Sequence, residues 1–306
     1  MFDFILNPLE IAVSWILVTF HSLFSGLFGS GSGVAWSLSI VGLVLVIRII
    51  LIPLFVKQIK SQRNLQIIQP QMKEIQTKYA GDRERQAMEM QKLYRETGTN
   101  PFSSCFPLLA QTPIFFALFT VLQGIAQEFP EGVFQWAQYS NLLAEAHNAT
   151  IFNVPLYGTF LNADETGAPL ATRILAMVMV VLMTATTFIT QRQLIVKNVA
   201  ADNPMVQQQK VLLYVFPFVF AIGGVGFPIG VLLYWLTTNI WSMGQQFYVI
   251  RNNPAPGTPA HKAYLERKAA KDKKKGITTD DVASDDAENK AQRVQPKRQP
   301  RSKRKK

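Results

Sequence analysis

The chain has 306 residues, 48% of them hydrophobic, with 21 Phe and five Trp. That balance excludes a pair of ordinary soluble domains and points to a membrane protein with charged extensions. The formal net charge of +11 is segregated: Lys and Arg number none in residues 1–33, nine in 57–104, none in 128–168, three in 192–210 and seventeen in 251–306. Because residues 128–168 carry only acidic charges (Glu128, Glu131, Glu145, Asp164 and Glu165), the basic segments read as cytoplasmic and this loop as external.

Residues 1–33 come first. Residues 11–28 are apolar enough to span, yet no basic residue precedes them and no small-residue cleavage site follows, which argues against a signal peptide. Asp3, Asn7, Glu10, Ser14, His21 and Ser25 recur at helical spacings and fall on one stripe. The pattern favours an amphipathic helix on the outer interface, anchored by Trp15, over a spanning helix. A flexible linker, Gly29 to Gly33, follows.

Five spans satisfy the charge alternation: residues 34–56, 105–126, 171–191, 209–226 and 228–249. The expected fold is all-α, a polytopic membrane protein with the N-terminus outside and the C-terminus in the cytoplasm. The fourth and fifth spans form one apolar stretch, split where Gly223-Gly224-Val225-Gly226-Phe227-Pro228 breaks the helix.

Arg48 lies inside the first span, nine residues before Lys57. At ~1.5 Å per residue that is about half of a ~30 Å hydrocarbon core, too deep for easy snorkelling. A guanidinium there costs roughly 2.5 to 3.5 kcal/mol on insertion scales unless water or a partner reaches it, so the sequence predicts a wet cavity.

Residues 57–104 carry two apolar stripes: Ile68, Met72, Ile75 and Tyr79, then Ala87, Met90 and Tyr94. With a turn at Ala80-Gly81-Asp82 and a stop at Gly98 and Asn100-Pro101, they predict a cytoplasmic helical hairpin near anionic headgroups. The external loop covers 128–170. After Arg251, seventeen basic and seven acidic residues with few large apolar ones predict a disordered basic tail over 251–306, suited to anionic phospholipid or ribosomal RNA.

Cys105 is the only cysteine, so it forms no disulfide within the chain and no multi-cysteine metal site. The three histidines are dispersed and no phosphate-binding or zinc motif occurs, which predicts no enzyme activity and no cofactor. Inside the spans remain Arg48, Gln111, Thr112, Thr184, Thr186, Thr187, Thr190, Thr237, Thr238 and Asn239. Singly, each threonine is a packing residue, and together with the arginine they suit a hydrated groove.

Val46-Ile47-Arg48 through Ile52-Pro53-Leu54, Lys57-Gln58-Ile59-Lys60-Ser61-Gln62-Arg63, Gly98-Thr99-Asn100-Pro101, Gln111-Thr112-Pro113-Ile114-Phe115-Phe116 and Gly230-Val231-Leu232-Leu233-Tyr234-Trp235 with Asn239 and Gln245-Gln246 carry a resemblance. Over residues 34–250 the chain resembles the YidC/Oxa/Alb family of membrane protein insertases, in a form similar to actinobacterial members. The resemblance implies a bacterial plasma-membrane protein whose five-helix core encloses a groove open to cytoplasm and lipid. The family's groove arginine maps onto Arg48, its aromatic position onto Trp235, and a polar third-span position onto Thr190 or Gln191. It also implies insertion and assembly of nascent membrane proteins, cooperation with the Sec translocon, and ribosome binding through a basic tail. A secondary transporter of an anionic solute is the alternative, although an odd number of dissimilar spans shows no inverted repeat.

Overall fold

The computed structural model describes residues 2–98, 106–192, 215, 219, 221–254 and 259–274. Ten helices of more than one turn occur among them: α1 (Phe2–Phe28), α2 (Gly33–Ile50), α3 (Ile52–Ile67), α4 (Gln69–Lys78), α5 (Arg83–Glu96), α6 (Phe106–Ala126), α7 (Ser140–Asn148), α8 (Pro169–Arg192), α9 (Ile229–Asn252) and α10 (Pro259–Lys274). A two-stranded antiparallel hairpin, β1 (Thr150–Ile151) and β2 (Val154–Pro155), interrupts an otherwise helical chain. Cys105 and most of the fourth expected span lie outside the described residues.

Three described helices are long and apolar enough to cross a membrane: Phe4–Phe28, Gly33–Ile50 and Pro169–Thr190. The chain is a multi-pass membrane protein. The expected first span, residues 34–56, divides in two. Ser32 caps α2, its hydroxyl accepting from the Val34 amide, but α2 stops at Ile50 and α3 resumes at Ile52. Pro53 has no N–H to return to the Ile49 carbonyl, so the ladder fails there.

The polarity of α1 is inverted relative to a helix in water. Glu10, Ser14 and His21 are buried in the protein, while Phe4, Trp15, Leu23 and Leu27 are exposed. The Ser14 hydroxyl donates to the Glu10 carbonyl (2.5 Å) and accepts from the Val133 amide (2.9 Å). His21 stacks on Trp36 with ring centroids 3.9 Å apart, and its Nε2 donates to the Ser30 carbonyl at 2.8 Å. Polar groups so buried need such partners, whereas an apolar outer surface suits lipid.

The segment between α6 and α8 caps one end of the core. Val133 and Phe134 join the apolar cluster with Leu17 of α1, Trp36 of α2 and Leu122 of α6. The first amides of α9, Ile229 and Gly230, donate to the Gly158 and Leu156 carbonyls (3.0 and 2.9 Å), which satisfies donors that a helix start leaves unpaired.

In residues 57–98 the turn falls as the sequence suggests. Asp82 caps α5, accepting from the Arg85 amide at 3.0 Å, and Gly98 closes it with φ of 62°. Tyr94 sits against the sulfur of Met72 at 4.0 Å, and its partial burial raises the pKa of the phenol. The apolar stripe of α5 differs from expectation. Leu93 is buried and Ala87 is exposed, because α5 rolls to place Met90 and Leu93 inward.

The tail requires a correction. Residues 259–274, expected to be disordered, form α10, and the Arg267 guanidinium donates to the Arg251 carbonyl at 2.8 Å. Its Ala, Lys, Leu and Glu content supports a helix without any core to bury. Residues 275–306 lie outside the described residues.

Gly132 makes the α1 crossing close. It has φ of 58°, and a Cβ there would overlap the Ser14 hydroxyl and the Glu10 carbonyl. Gly132→Ala should lower stability in detergent micelles by about 1–2 kcal/mol from the left-handed backbone alone, with the clash adding to it. Gly31→Ala, with open space around it, should stay within about 0.5 kcal/mol of wild type. Thermal unfolding of the two variants measures the difference.

Candidate functional site

Arg48 stands three residues before Leu51, the residue that separates α2 from α3. The guanidinium lies 5.4 Å from the centre of the Phe55 ring and near enough to the Tyr234 phenol on α9 to interact electrostatically. Only 6% of its surface is exposed. The ion pair between Arg173 and Asp164 does not involve Arg48, and no described acid neutralises Arg48. A cation over an aromatic face gains at most about 2 kcal/mol, less than the several kcal/mol of taking an ion out of water. The arginine therefore keeps most of its demand for a counter-charge or water.

Beside it, α6 and α9 build an aromatic wall. Phe115 meets Trp235 at 5.8 Å and Tyr234 at 6.4 Å between ring centres, Trp235 meets Phe227 at 5.8 Å, and Phe227 meets Phe119 at 5.8 Å. Of these, sequence reasoning singled out Trp235 alone. Phe115 carried a signal, since it falls one turn after Gln111 on the same face of α6. Gln111 is half-buried there, and Thr112 is exposed on the neighbouring face.

The remaining polar residues gather where α8 meets α9. Asn239 Nδ2 donates to the Thr187 hydroxyl at 2.9 Å and reaches the Met183 carbonyl at 3.4 Å. Those two site residues thus tie one helix to the other. Thr190 Oγ1 is buried without a partner among the described residues, as are Trp241 Nε1 and Gln246 Oε1 on α9. Of Gln191, the backbone alone is described. Thr184, Thr186 and Thr237 return their hydroxyls to carbonyls of their own helices at 2.8 Å, which satisfies them without a groove. Trp235 and Asn239 lie one turn apart on α9, so one helix links the aromatic wall to the polar seam.

Residues 27–256 match the family model described as 60Kd inner membrane protein. The chain belongs to this family. It is 54% identical over 274 residues to the membrane protein insertase YidC of Streptomyces avermitilis, covering 87% of this chain and 62% of that protein. The membrane protein insertase YidC of Tropheryma whipplei is 39% identical over 294 residues, covering 90% of this chain and 93% of the relative. A solved structure, "Active YidC insertase crystal structure with the first transmembrane domain resolved", aligns with a TM-score of 0.49 at 25% identity, over 78% of this chain and 46% of that one. The chain thus spans less than two thirds of the Streptomyces relative and nearly all of the Tropheryma relative.

Within this family member the Thr187–Asn239 bond has a measurable size. Hydrogen bonds between membrane helices average about 0.6 kcal/mol and reach about 1.7. A double-mutant cycle of Thr187→Ala and Asn239→Ala, read by unfolding in micelles, should give a coupling in that range. A coupling of zero would show that the two side chains do not act on each other.

Proposed function

We propose that this protein is a membrane protein insertase and assembly chaperone that passes short client segments into the bilayer along a hydrophilic groove built around Arg48. The observation that carries the reading is a buried guanidinium on an apolar helix with no acidic partner among the described residues. A client whose external tail is acidic must bring charge into a low-dielectric layer, where transfer is costly. Arg48 offers a transient counter-charge partway. The apolar part of the client then leaves sideways into lipid, driven by its own burial at roughly 25 cal/mol per Å² rather than by nucleotide. The role requires no catalytic group and no cofactor.

The groove residues are Arg48, Gln111, Thr112, Thr187, Thr190, Gln191, Trp235 and Asn239. Trp235 and its aromatic neighbours give the apolar client a wall to slide on. The core has five spans, with the N-terminus outside and the C-terminus in the cytoplasm, and residues 57–104 form the cytoplasmic hairpin. Helix α1 lies along the outer interface. In support, Leu17 in its middle lines one cavity with Leu122, Ile125 and Ala126 of the last turn of α6 and with Trp36 in the first turn of α2. Nascent membrane proteins are the clients. The Sec translocon, ribosomes bound through the basic tail, and anionic phospholipids are the other partners.

Reconstitution of the protein alone in liposomes, with a short single-span client and no nucleotide, tests the mechanism. Arg48→Ala should slow insertion of clients with acidic tails by on the order of tenfold, about 1.4 kcal/mol of barrier, whereas Arg48→Lys should keep most of the rate. Equal rates for wild type and Arg48→Ala would remove the counter-charge from the mechanism.

Topology has its own measurement. Cysteines placed at Gln76 and Asn141 in a Cys105→Ser background should react with a membrane-impermeant thiol reagent from opposite sides. Labelling of both from one side would overturn the five-span arrangement.

A further inference from the structure

The tip of the β1–β2 hairpin is shaped at a cost that no packing of its ring among the described residues offsets. Strand pairing of Thr150 with Pro155 and of Ile151 with Val154 leaves a two-residue turn, with Phe152 at φ of 53° and Asn153 at 62°. Asn accepts this left-handed backbone readily, but a bulky aromatic residue there is a steric outlier. Phe152 gains no packing in return, since 84% of its surface is exposed.

Its position in the molecule is fixed. Thr150 bridges Ser32, the capping residue of α2, and a Cβ on Gly33 would overlap the Thr150 carbonyl. The hairpin is thus fastened to the first residue of a helix able to cross a membrane. Two residues at ~3.3 Å each separate Thr150 from Phe152, which keeps the Phe152 Cα within roughly 7 Å of the residue bridged to that helix start. The headgroup layer on each side of a ~30 Å core is about as thick. Leu27 and Phe28, both exposed, end α1 just before the same linker. Residues 128–168 carry five acidic and no basic side chains, so attraction of this face to lipid cannot come from charge.

We propose that Phe152 is an interfacial anchor, a ring set into the phospholipid headgroup and acyl boundary at the N-terminal end of α2. The inference rests on reading α2 as a membrane span. Phe, like Trp and Leu, is used to bury an apolar surface at this boundary, and the strained turn presents the ring outward from a rigid base. The anchor holds the cap formed by residues 128–170 at a set height over the core.

The test uses the full chain in phosphatidylcholine liposomes, with single cysteines in a Cys105→Ser background carrying the environment-sensitive fluorophore NBD. Sites are Phe152→Cys, Leu45→Cys on the exposed face of α2, and Glu165→Cys on the exposed surface of the cap. The label at 152 should be quenched by lipids bearing a shallow nitroxide and shielded from iodide, with no change as salt rises. The label at 165 should show the reverse, and that at 45 should respond to a deep nitroxide. Iodide quenching at 152 equal to that at 165 overturns the anchor, as does shielding at 152 from both quenchers, which would mean a protein partner or a second copy covers it. Lipid contact at 45 with water at 152 sinks the anchor alone, whereas no lipid contact at 45 sinks the span reading and the anchor together. Phe152→Asn should melt in detergent no lower than wild type, and a lower melting temperature would assign the ring to folding instead.

Discussion

A charged guanidinium sits within an apolar helix with aromatic rings beside it and no described acid to neutralise it, and the surrounding structure is arranged around that charge. Burial of an ion costs several kcal/mol even after relaxation, and the contact with Phe55 recovers at most about 2. The remainder is a standing demand for water or for an incoming negative group. Phe55 follows Arg48 by seven residues, about two helical turns, so its ring lies on the same face and within reach of the guanidinium.

Under the proposed insertase role, a groove that accepts and releases chains needs some fixed walls. The fixed part is α8 on α9, where Asn239 joins Thr187, and the far end of α9, whose first amides are held by carbonyls of the capping segment. Between these points α9 presents Tyr234 and Trp235 towards α6. Helix α9 is thereby positioned at its start and near its midpoint by polar bonds, and between them by rings. Rings tolerate sliding because stacking and edge contacts have broad minima compared with hydrogen bonds.

Much of this was legible in the chain. Arg48 announced its own burial, since an arginine in an apolar run has few alternatives. The turn at residues 80–82 followed from Gly81 and the capping Asp82. Other features needed three dimensions. The polar stripe of α1 is visible in sequence, but the same stripe faces water on an interfacial helix of a soluble surface and faces protein here, with Ser14 and His21 satisfied by Val133 and Ser30. The Thr187–Asn239 bond depends on the register between two helices 52 residues apart in sequence, which no periodicity encodes. Helix α10 was missed because charge was weighed above propensity: a segment too polar to build a core still forms a helix when Ala, Lys and Glu dominate it.

The absence of a described acid near Arg48 also bears on turnover. At 4 Å a carboxylate and a guanidinium attract by about 4 kcal/mol at an effective dielectric of 20, and by about 1 in water. A resident acid would satisfy Arg48 and leave nothing to attract a client, while a fully dry site would hold an acidic client too long. The proposed mechanism therefore favours an intermediate state, in which the guanidinium is screened enough to release what it attracts. Arg48 keeps 6% of its surface exposed, with the centre of the Phe55 ring 5.4 Å from the guanidinium.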